Sequence, residues 1–77
     1  MTAADLDAQS DALEHEEGEL RVRLRALENE LNATLHGGRP ASPHSVDATE
    51  RAIRIIVLRL VEIERERIDL RVASALR

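Results

Sequence analysis

No phenylalanine, tyrosine or tryptophan occurs in the 77 residues, so any core must be assembled from Leu, Ile, Val and Ala. Aromatic side chains normally supply much of the buried area in small folds. A monomer of this length without them, and without a disulfide or metal, is marginal, and association is the simplest remedy. Cysteine is absent as well, which excludes a disulfide framework and thiol chemistry. There is no lysine; all eleven basic residues are Arg. No apolar run approaches the length of a membrane span. The opening MTAADLDAQSDALEHEEGEL is acidic and polar, unlike a signal peptide, which needs a basic start and an apolar stretch. A cytoplasmic protein with no membrane partner is the expectation.

The charge that is present lies unevenly. Residues 1–19 carry seven acids and no Arg, whereas residues 39–77 carry eight Arg and six acids. The net charge of −4 argues against direct nucleic-acid binding, which favours a basic domain.

Glycine and proline are scarce and concentrated. Two of the three glycines and both prolines fall in HGGRPASPHS, residues 36–45. Gly37 or Gly38 suits the left-handed position that ends a helix, and Pro40 and Pro43 oppose continuation. The spacing therefore predicts one domain over residues 1–77 with two long helices, about 3–35 and about 46–76, joined by a linker over 36–45. Thr2 is placed to cap the first helix, with Asp5 in its first turn. Asp47 with Glu50 reads as the cap of the second, and Ser45 is a rival.

Leu6, Leu13, Leu20 and Leu27 recur every seven residues, with Leu24 and Leu31 at the alternate position. This is a heptad seam. The second helix carries a matching one at Ile53, Ile56, Leu60, Ile63 and Leu70. Folding the chain back at the linker sets Leu31 against Ile53, Leu27 against Ile56, Leu24 against Leu60 and Leu20 against Ile63. The same register sets Glu17 against Arg67, Leu13 against Leu70, Ser10 against Ser74 and Thr34 against Thr49. Polar interruptions meet polar interruptions. The fold class is thus all-α, an antiparallel two-helix hairpin of coiled-coil type. Glu17 and Arg67 form the register-setting polar pair, since a charge pair in an apolar seam fixes alignment at some cost in stability. Gly18 beside it, about 1 kcal/mol less favourable than Ala in mid-helix, reads as room for a close helix approach, as a bend, or as neutral drift.

One segment, IRIIVLRLVEIE over residues 53–64, is richer in aliphatics than the seam requires. Val57, Val61, Ile68, Val72 and Ala75 cluster on a second face, with Leu58 and Leu76 at its border. The first helix covers one face and leaves the other. Exposing large aliphatics forgoes roughly 1.5–3 kcal/mol each, so the second face is the expected intermolecular interface. A copy of the chain is the simplest occupant, since most soluble oligomers are cyclic dimers. Two hairpins joined in this way make a four-helix bundle.

Little in the sequence points to chemistry. Asp11, His15 and Glu19 share a face, but Ala12 stands where a Glu-x-x-His metal motif needs its acid. His36 and His44 flank the linker. Arg21, Arg25 and Asn29 share a face that suits a small anion, although Glu28 and Glu30 lie close by and Glu17 can pair with Arg21. There is no nucleophile–base set, phosphate loop or metal cluster, so no catalytic residue, cofactor or metal is expected, and the protein is not expected to be an enzyme.

Two families invite comparison. The run ERERIDLR resembles small helical chorismate mutases, but those need a third helix and a Lys, and this chain has neither. Glu14 and Arg21 fall in the spacing Glu-x3-Ser-x2-Arg-x3-Gln-x3-Asp of the actinobacterial anti-sigma hairpins that bind cyclic di-GMP; Gly18, Arg25 and Asn29 depart from it. The leading expectation is a self-associating helical hairpin that acts as an adaptor or regulator by binding another protein. The alternatives are an anti-sigma-like transcription regulator that responds to a small anionic ligand or nucleotide, and a structural subunit of a larger homo-oligomer.

Overall fold

The computed structural model describes residues 2–36 and 43–76. It contains two helices, α1 over Ala3–His36 and α2 over Pro43–Ala75, packed on one another as a hairpin. Helices of 34 and 33 residues are each about 50 Å long, and the molecule measures 57 × 15 × 14 Å.

The start of α1 follows from Thr2 and Asp5. The Asp5 backbone N–H donates to Thr2 Oγ1 at 3.2 Å, and the Thr2 backbone N–H donates to Asp5 Oδ2 at 3.2 Å. The two residues thus satisfy each other's orphan donors in a reciprocal cap. These hydrogen bonds hold the Asp5 carboxyl below its usual range.

The start of α2 differs from expectation. It begins at Pro43, three residues before the expected start near residue 46. Proline has no N–H to leave unpaired and a fixed φ suited to the first helical position. Ser45 and Asp47 therefore lie inside the first turns and do not cap the helix. The Thr49 hydroxyl donates to the Ser45 carbonyl at 3.0 Å, a back-bond available only once that turn is helical. Gly37, Gly38 and Pro40, to which the sequence also assigned roles, lie outside the described residues.

The seam between the helices carries what core there is. Ile63 is fully buried, and Leu6 and Ile56 nearly so. Leu13, Leu20, Leu24, Leu27, Leu31, Ile53, Leu60 and Leu70 are half-buried. Ser10 and Ser74 line one groove, and Leu13 and Leu70 another. Both agree with the register read from the heptads. Gly18 is exposed, and a Cβ there would meet nothing within 4 Å. The close helix approach inferred for it does not occur.

The rod is too open for its mass. A compact chain of 8.6 kDa would expose about 4,700 Å², whereas this one exposes 6013 Å². Its radius of gyration is 17.3 Å, against about 11.5 Å for a globular domain of this length.

Candidate functional site

The seam contains a polar lock in two parts. Arg67 Nη1 donates to Glu17 Oε2 at 2.8 Å, and Arg21 Nε donates to Glu17 Oε1 at 3.2 Å. The structure thus brings Glu17 and Arg67 together across the hairpin, as the register requires. Arg21, offered by the sequence as an anion ligand with Arg25 and Asn29, already has a carboxylate partner. Arg25 and Asn29 are exposed and share a shallow groove with Arg21, Leu24, Glu28 and Asn32.

Sequence reasoning missed the second part. Arg59 Nε and Nη2 donate to Glu16 Oε2 and Oε1 at 2.6 and 2.8 Å, a bidentate pair between the helices. Arg59 Nη1 also reaches Glu62 at 3.1 Å and Glu66 at 3.4 Å. The signal was available in part: Arg59 has acids three and seven residues ahead of it. Glu16 was invisible because it lies nowhere near the level of Arg59 in a rung-by-rung alignment. Only a long side chain extended along the helix axis joins them.

These contacts make the fold sensitive to acid. The Arg59 guanidinium holds the Glu16 carboxyl below its ordinary value of 4.5. The guanidinium groups of Arg67 and Arg21 do the same for Glu17. A depressed carboxylate contributes stability above its unfolded pKa and loses it as pH falls through the folded one. Melting temperature should therefore hold steady from neutral pH down to about 5 and fall below the ordinary glutamate value of 4.5. Glu17→Gln should lower the neutral-pH midpoint and flatten the acid limb. Circular dichroism melts across that range test this, and an acid limb equally steep in the variant would refute the assignment.

The outer face of α2 is the larger feature. Val57, Val61, Ile68 and Val72 are 43%, 47%, 46% and 52% exposed, and Ala75 is exposed beside them. Leu58 and Leu76, at the border, are more exposed still, as is Ile55 on a further side. Helix α1 touches the seam and leaves this face open, so a run that is apolar nearly all round has a neighbour on one side only. Val57, Val61, Ile68 and Val72 thus line up along the outer side of α2 at helical spacing.

The remaining polar groups are dispersed. His15 Nε2 lies 3.1 Å from Glu19 Oε1 on the exposed face of α1. Among the described residues, no three His, Asp or Glu side chains gather as a metal site, and no helix is long and apolar enough to cross a membrane. Comparison of the chain with protein-family models, with curated proteins and with solved structures finds no match.

Proposed function

We propose that the protein is a non-enzymatic interaction module: a helical hairpin that self-associates through the outer face of α2 and acts by binding another protein. The observation that carries this reading is the strip of Val57, Val61, Ile68 and Val72, each about half exposed on a chain with only three buried apolar residues among those described. The chain as a whole exposes 6013 Å², about 1,300 Å² more than a compact chain of its mass, as expected of a rod that lacks a lateral neighbour. Pairing two hairpins through this face yields a four-helix bundle.

The polar side chains of the seam fit a structural role. Glu16, Glu17, Arg59 and Arg67 are engaged with one another, an arrangement suited to fixing alignment. A further protein finds surface on α2 at the border of the dimer face and beyond it, on the side of Ile55. Ile55 and Leu58 are 62% and 59% exposed. Arg51 and Arg54, beside them, make no ion pair among the described residues. An apolar strip flanked by free arginines fits an acidic amphipathic segment. The same strip would serve a larger homo-oligomer.

Light scattering on a gel-filtered sample is the direct test. A mass about twice 8.6 kDa at micromolar concentration is the expected result. A folded species at the monomer mass would remove the proposal.

A further inference from the structure

We infer that the two copies pair with their α2 helices parallel, so that the two-fold axis runs along the rod and Glu64 of each copy meets Arg65 of the other. The inference rests on the dimer proposed above and deepens it.

The four large aliphatic residues of the face leave the orientation open. Val57, Val61, Ile68 and Val72 are separated by four, seven and four residues, a spacing that reads the same in both directions. In a parallel pair each meets its own counterpart. In an antiparallel pair Val57 meets Val72 of the other copy, and Val61 meets Ile68. Burial is much the same either way.

The charges at the middle of the face do distinguish the two. Glu64 and Arg65 occupy the gap between Val61 and Ile68. At 3.6 residues per turn they stand about 50° to either side of the face's midline. Both are exposed, and neither makes an ion pair among the described residues. They differ in this from Arg59 and Arg67, which are engaged across the seam.

Symmetry then decides which flanks meet. A two-fold axis parallel to the helices brings the left flank of one helix against the right flank of the other. Glu64 then faces Arg65 of the other copy, twice, at nearly the same height. A two-fold axis perpendicular to the helices brings each flank against itself. Glu64 then faces Glu64, and Arg65 faces Arg65. One arrangement has two attractive contacts and the other two repulsive ones, against an apolar background that favours neither. Flanking charges select orientation in this way in coiled coils.

The parallel arrangement has a consequence for recognition. Both Thr2-capped ends of α1 lie at one end of the bundle. The Ile55–Leu58 strip appears twice at one height, on opposite sides of the rod. A partner would meet two equivalent strips at the same level, where the antiparallel form would set them towards opposite ends.

The chain has no cysteine, so single substitutions report on this cleanly. Val57→Cys and Val72→Cys are prepared separately, oxidised alone and as an equimolar mixture, and read by non-reducing electrophoresis. In the parallel dimer each variant alone forms a disulfide-linked dimer in high yield. In the antiparallel dimer position 57 of one copy lies about 22 Å from position 57 of the other, too far for a disulfide; neither variant links alone, and only the mixture does. That result would overturn the inference. Scattering on the reduced variants separates this from failure of the dimer itself: a monomer mass removes the dimer, whereas a dimer mass with linkage only in the mixture removes the orientation.

Discussion

Replacing Ile63 with Ala should cause the largest loss of stability of any single truncation in the chain. Ile63 has no exposed surface and sits in the seam, with half-buried Leu60 and Arg67 at neighbouring seam positions of its own helix. Deleting buried methylenes from such a position costs the transfer free energy plus that of the cavity left behind, about 2–5 kcal/mol. In a domain of this size each kcal/mol lowers the melting midpoint by about 4–8 °C. A fall of at least ~8 °C is expected, with loss of the cooperative transition at the upper end of the range. Val22→Ala is the matched control. Val22 is 71% exposed on the outer side of α1, and truncation there should stay within about 0.5 kcal/mol. Melts of the two variants side by side test the claim; equal effects would mean that the seam is not where the fold is held.

Ile63 also shows how much of the fold is legible in the sequence. Its position followed from the seven-residue spacing, because a strict heptad leaves a helix one seam to offer. The pairing with α1 followed because both helices carry such seams and a glycine–proline linker reverses the chain. Glu17 against Arg67 was legible for the same reason: both interrupt their seams at the same level. What failed to appear was whatever did not act level by level. The start of α2 is hard to read because Asp47 and Ser45 resemble caps, while a proline both breaks the helix before it and suits the first turn of the helix after it. The Glu16–Arg59 pair escaped because a heptad alignment assigns each side chain to its own rung, and an arginine can reach past several. The exposed strip on α2 was visible as a surplus of aliphatics. Its partner was not, since a sequence records how much apolar surface there is and says nothing of what covers it.

The strip leads to the second large expected effect. Val61→Asp with Ile68→Asp should convert the dimer to monomer while leaving the hairpin's own seam able to form. Both side chains are about half exposed in a single chain, so docking gains roughly 1 kcal/mol from each. Four such side chains are replaced in a dimer. A loss of roughly 4 kcal/mol raises the dissociation constant about 1,000-fold, before any repulsion among four aspartates brought together. Sedimentation or light scattering should therefore find 8.6 kDa at concentrations where the unaltered chain is dimeric. The melting midpoint should fall and lose its dependence on protein concentration, as linkage between folding and association demands. The substitutions lie away from the seam, so the Glu17–Arg67 and Glu16–Arg59 pairs remain geometrically available to the monomer. Its helical content at low temperature should accordingly persist, though over a narrower range. Val22→Asp on α1, an exposed position off both faces, should leave mass and concentration dependence unchanged. If the double variant kept the dimer mass, the interface would have to lie elsewhere, and the strip of Ile55 and Leu58, with its unpaired arginines, would be the next surface to alter.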